Sequence, residues 1–230
     1  MTAARPYHVG LDRAGIVAAA LKLSRERGLY GWSVRDLSRA LDVTPSVIYH
    51  HVGGRDLLCR YVVEALIETA TFPTTPAPWR EWFESALLPA RAQLSAVPGV
   101  AQWLILHGPV IPALLPVVDS GIESLRRAGF GESCTAAYAM LFSVAMQTVA
   151  AADERRQHAD DGPRDHATMM AEFATLADAS PGLSALAHQH TASFVDDAAA
   201  ANQRHYEAVI ETMLDGLEVR LARKLAPSAP

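Results

Sequence analysis

Two histidines stand side by side, His50 and His51, within the run LDVTPSVIYHHVGGR at 41–55. Imidazoles can ligate a metal or pass a proton near neutral pH. Adjacent helical residues do not face each other, however, so two neighbouring rings cannot easily grip one ion. Other candidates for chemistry are weaker. His188 and His190 have no cysteine or carboxylate at ligand spacing and read as surface histidines. Asp160-Asp161 precedes Gly162-Pro163 and reads as a turn. Cys59 and Cys134 are the only cysteines, and no basic neighbour activates Cys134, which reads as a buried structural thiol. There is no glycine-rich phosphate loop and no nucleophile–base pair at a recognisable spacing. The expectation is therefore no catalytic residue, no metal site and no cofactor; an all-α enzyme using its N-terminal module only for docking is the weaker reading.

Composition points elsewhere. Half of the 230 residues are apolar and a fifth are charged, enough for a sizeable core in one large or two smaller domains. Net charge is −5, but it is unevenly spread. Residues 1–60 hold nine basic and five acidic groups, a net of +4, so the remainder carries −9. That pattern suits a small basic module on an acidic body. Ser133–Ala152 lacks charged residues and is just long enough to span a bilayer. Its alanines and small polar residues fit a helix buried in a protein interface better, and Val97–Val118 is broken by prolines and glycines. No membrane span is predicted. With no secretory pattern at the N-terminus, the expected location is the cytoplasm.

Hydrophobic spacing and caps predict helices throughout. Ile16, Ala20 and Leu23 form a stripe over 11–27, with Asp12 as cap and Gly28 as terminator. Ser33 caps a short helix to Leu41; Thr44 and Pro45 open another to about Val52; a longer one follows over 55–69. After a proline-rich loop at 71–78, helices are predicted near 79–95, 100–107, 112–128, 133–156, 165–178 and 202–225. Nothing alternates as a strand would. The predicted fold is all-α: a three-helix helix-turn-helix module at 1–54, a linking helix at 55–70, and a helical effector-binding and dimerisation domain at 79–226.

The two short helices give the histidine pair its context. With Leu37, Leu41, Val43 and Ile48 packed inward, the second helix presents Thr44, Pro45, Ser46, Val47, Tyr49 and His50 and suits the major groove of DNA. Tyr49 can donate to a phosphate, Arg55 can pair with another, and Arg35 can reach guanine O6 and N7. His51 is expected to pack partly against the first helix.

Leu11-Asp12-Arg13, then Gly28, then SVRDLSRALDVTPSVIYHHVGGRDLL resembles the TetR (tetracycline repressor) family of transcriptional regulators across roughly Leu11–Leu66. The resemblance implies Arg35, Pro45, Ser46, Val47 and His50 at or near bases, and Ser33, Tyr49 and Arg55 at phosphates. Two departures stand out. Glycines 53 and 54 replace polar residues, and proline stands at 45 where a polar reader is common.

SLRRAGF at 124–130 and YEAVIETMLDGLEVRL at 206–221 extend the resemblance to the family's effector-binding domain. It implies a homodimer whose helices near 133–156 and 202–225 pair with their copies, matching a near-palindromic double-stranded operator. Between the helices, Trp82, Phe83, Trp103, His107, Met140 and Gln147 are the candidate lining of a cavity for a small apolar effector. His107 falls near the family's metal-chelating histidine, but aligning it needs a gap and no acidic partner lies nearby. Neither tetracycline nor magnesium binding is carried over. The expected function is a ligand-released repressor, with an activator or ligand-independent regulator as alternative.

Overall fold

The computed structural model describes residues 11–177, 180–187 and 197–226, and every regular element among them is helical. His188 and His190 lie outside the described residues. Twelve α-helices are described: α1 (Arg13–Arg27), α2 (Val34–Leu41), α3 (Pro45–Val52), α4 (Arg55–Thr69), α5 (Trp79–Leu87), α6 (Ala90–Leu94), α7 (Val100–His107), α8 (Leu115–Arg127), α9 (Cys134–Gln157), α10 (His166–Thr175), α11 (Pro181–Leu186) and α12 (Ala198–Leu225). They fall into two compact units, one running through Thr71 and including Ala96–Val100, the other holding the rest.

In the first unit, local signals fix each helix. Asp12 accepts the Gly15 N–H at 2.8 Å to start α1, and Gly28, at φ 80°, ends it by donating to the Ser24 carbonyl. Ser33 and Asp36 form a reciprocal capping box at α2. Asp42, in the left-handed region at φ 52°, makes the tight turn, and Pro45 occupies the first helical position of α3, where its missing N–H costs nothing. α1 packs on α4 and α2, and α3 packs on α2, α1 and α4. Ile16, Leu29, Leu37, Ile48, Leu58 and Val62 are wholly buried, while Leu41 and Val43, expected inward, are half-buried. Trp32 donates its indole N–H to the Ser24 hydroxyl at 2.8 Å, and Leu29 donates to the Pro98 carbonyl, stitching the 96–100 segment into this unit.

In the second unit, α9 packs against α12, α8 and α6, and α5 against α8. The predicted helix at 79–95 is two helices. Pro89 lacks the N–H that would continue the first, and α6 restarts just after it. Two further features differ from expectation. α11 lies where no helix was predicted, capped by Ser180 through the Leu183 N–H, and α12, capped by Asp197, begins at Ala198, four residues before the predicted start. Tyr206 is wholly buried and donates to the Leu87 carbonyl at 2.7 Å. Trp82, Phe83 and Tyr138 meet edge to face, with centroids 4.8 and 5.9 Å apart.

That aromatic cluster requires glycine at 121 on α8. A Cβ there would lie 2.6 Å from the Trp82 ring and 2.8 Å from the Tyr138 ring. Gly121→Ala is expected to destabilise the protein by about 1–3 kcal/mol through overpacking. Calorimetry should show a midpoint lower by several degrees; an unchanged midpoint would mean that the indole moves aside freely.

Candidate nucleic-acid interface and effector domain

α3 buries Ile48 and Val52 and turns its other side outward. Thr44, Pro45, Ser46, Tyr49 and His50 are exposed, Tyr49 by 47 %, and Val47 is half-buried. Thr44 holds the N-cap position without a side-chain capping bond, so its hydroxyl is not used by the helix end. On the first turn of α2, Arg35 is exposed and makes no hydrogen bond or ion pair among the described residues. These positions form an outer face with one cation, a phenol, an imidazole and small hydroxyls. Such groups can meet phosphates and base edges in a groove.

Two expected contact residues have internal work. The Ser33 hydroxyl donates to the Asp36 carboxylate at 2.6 Å and accepts the Asp36 N–H at 3.2 Å. The hydroxyl's donation, with that of the Ser33 backbone N–H at 2.9 Å, holds the Asp36 carboxyl below its usual pKa. Arg55 turns inward: its Nη2 donates to the carbonyls of Tyr30 at 3.0 Å and Trp32 at 2.8 Å. Its guanidinium also lies 5.6 Å from the centre of the Trp32 ring. His51 is half-buried, and its carbonyl accepts from Arg13 Nε on α1 at 3.2 Å. Arg13 in turn sits over the Tyr61 ring. Neither Arg13 nor Trp32 stood out in the sequence as part of this frame, because their partners are a backbone carbonyl and residues far along the chain.

The six residues expected to line an effector cavity fall into three groupings. Trp82 and Phe83 belong to the filled aromatic cluster at Gly121. Trp103, buried on α7, stacks on His107 with centroids 4.3 Å apart, and His107 Nδ1 lies 2.8 Å from the Trp103 carbonyl. Met140 and Gln147 face outward from α9. They line an open groove with Ala139, Ser143, Val144 and, from α12, Met213. Beside it, Phe130, Ala137, Met140, Leu217 and Lys224 line a hollow of about 230 Å³. The stretch Gly131–Gln157 is the one described helix long and apolar enough to cross a membrane by length and composition, yet only 28 % of its most apolar window is buried within the chain.

Comparison with known proteins accounts for both units. Residues 16–61 match "Bacterial regulatory proteins, tetR family", and residues 72–221 match "Tetracyclin repressor-like, C-terminal domain". The chain belongs to the TetR family. This TetR-family transcriptional regulator is similar to solved structures across most of its length. A possible TetR family transcriptional regulator from Streptomyces coelicolor A3(2) is 26 % identical, with a TM-score of 0.74 over 90 % of this chain and 99 % of that one. ActR of Streptomyces coelicolor in complex with actinorhodin is 20 % identical, with a TM-score of 0.74 over 96 % of this chain and 100 % of that one, a likeness of fold. BioQ with its natural double-stranded DNA operator is 25 % identical, with a TM-score of 0.57 over 64 % of this chain and 90 % of that one. No curated protein sequence matches the chain.

The Arg55 geometry generates a test made without DNA. Arg55→Ala strands two carbonyls that now accept from a charged donor, and is expected to cost about 1.5–3 kcal/mol in chemical denaturation. A change near zero would show that the guanidinium is dispensable to the fold and free to serve as a phosphate contact.

Proposed function

We propose that this TetR-family regulator is a homodimeric repressor that binds a near-palindromic operator and releases it when a small molecule occupies its C-terminal unit. The observation that carries the reading is the outer face of α2 and α3. Arg35, Thr44, Ser46, Tyr49 and His50 are exposed there on a braced helix-turn-helix. Operator binding by BioQ and ligand binding by ActR support the two halves of the reading. Arg35 and the N-terminal turn of α3 would read bases; Tyr49 would meet a phosphate. Arg55 acts as a positioning residue that holds the start of α2.

The second unit supports dimerisation. Met140, Ser143, Val144 and Gln147 of α9, with Met213 of α12, make an apolar groove of small and flexible side chains, the kind of surface that a copy of itself covers. Met140 and Gln147, first assigned to the effector, then belong to this face. The effector would have an apolar body held among the helices of the second unit. α4 ends the first unit shortly before the chain passes into the second, and would be the lever between the two states. A ligand that binds the DNA-incompetent state a hundredfold better supplies about 2.7 kcal/mol, enough to vacate a moderately tight site.

Two measurements test this. In gel shifts on the DNA upstream of its own gene, Arg35→Ala and Tyr49→Ala should each weaken binding by about 1–3 kcal/mol while the dimer persists. Undiminished binding would remove α3 as the reading element. Ser143→Arg places a charge in the groove and should yield a monomer in sedimentation with weakened DNA binding; a persistent dimer would reject that face. De-repression of adjacent genes in a deletion strain gives the sign of regulation.

A further inference from the structure

Among α6, the end of α9 and the starts of α10 and α12 lies a cavity of about 330 Å³ within the second unit. That is the size of a small-molecule site. Three arginines, Arg91, Arg155 and Arg156, line it with His166, against two carboxylates, Asp153 and Asp165. Both acids are already engaged. Asp153, only 3 % exposed, accepts from Arg156 Nη2 at 2.9 Å. Asp165 caps α10, accepting the N–H groups of Ala167 and Thr168 and the Thr168 hydroxyl. Arg91 donates Nη1 to the Gln203 amide oxygen at 2.7 Å, and its Nε is buried with no hydrogen-bond partner among the described residues. Arg155 donates Nη2 to the Asn202 amide oxygen at 2.6 Å. The remaining walls include Ala152, Ala167, Ala198 and Ala199, which leave room for an apolar body.

We propose that this cavity binds the carboxylate of a small organic acid, so that the effector is an apolar body carrying an anionic group; this rests on the effector reading above. Guanidinium forks match a carboxylate plane and lose less by desolvation than an ammonium does. Burial already lowers the pKa of Arg155, and burial followed by the charge of Arg155 lowers that of His166.

Isothermal titration of the full-length protein with 2-naphthoate, neutral 2-naphthamide and inorganic phosphate is the test. The acid should bind roughly tenfold more tightly than the amide, a difference of about 1.4 kcal/mol. Arg91→Gln should abolish that preference, and Arg223→Gln, on the exposed end of α12, should keep it. If Arg91→Gln does not fold, Arg91→Lys replaces it, and the preference should fall several-fold. Equal affinity for acid and amide, or a preference that survives both Arg91→Gln and Arg155→Gln, overturns the proposal. Phosphate binding as tight as that of 2-naphthoate overturns the organic-acid assignment. Retention of upstream DNA by the same wild-type preparation is scored separately: a protein that binds the acid but no DNA refutes the regulator reading and leaves the cavity standing.

Discussion

A helix of eight residues does not hold itself together in water, because nucleation costs more than two turns return. α2 and α3 are both of that length, and the whole DNA-facing module depends on bracing them. The brace has two parts. Ile48 and Val52 bury the inner side of α3, where it packs on α1, α2 and α4. Arg55, which begins α4 directly after α3, donates to the carbonyls of Tyr30 and Trp32, which come directly before α2. The residue that follows the helix pair thus grips the segment that precedes it. Trp32 is held from its other side by Ser24 of α1, so the clasp reaches three elements.

Closing the module this way determines what faces outward. With Arg55 turned inward and Ser33 engaged with Asp36, the unpartnered groups on the outer side are concentrated at Arg35 and along α3. A rigid element that presents few side chains loses little conformational entropy on docking. Proline at 45 fits this economy. Its side chain has no group to hydrogen-bond a base, but it fixes the backbone at the N-terminal end of α3.

Local rules made most of the helices readable from sequence. Ser33 with Asp36, Pro45 after Thr44, and Gly53 are signals that act within four residues, and α2, α3 and α4 begin and end within a residue of where those signals put them. Distant partners were not readable. Arg55 looks like a phosphate ligand because a cation after a recognition helix is all that sequence shows, whereas its acceptors are backbone carbonyls 23 and 25 residues earlier, which have no sequence identity. The effector candidates divided for a related reason. An apolar side chain on a helix reads the same whether it faces its own core, as Trp82 and Phe83 do, or a neighbouring surface, as Met140 does. Nor could any motif reveal the arginine cavity, since Arg91, Arg155 and His166 come from three separate helices.

Charge bears on how the proposed effector would act. Residues 61–230 carry a net −9 while residues 1–60 carry +4, so long-range forces favour DNA approach through the first unit alone. Several arginines of the second unit are paired nearby: Arg80 with Glu84, Asp215 and Glu218, and Arg126 and Arg127 with Glu123, whose carboxyl those two hold down at about 2. Exposed pairs of this kind add little stability, but they leave the acidic excess diffuse rather than patchy. One more anion bound in the arginine cavity would add a single charge to that excess, and its field would be screened beyond about 8 Å at physiological salt. Repulsion of that size would not dislodge the proposed dimer from an operator. On the proposed reading, release would instead come from tighter ligand binding to one arrangement of α6, α9, α10 and α12 than to another, with the guanidinium–carboxylate geometry, rather than the charge itself, supplying the difference.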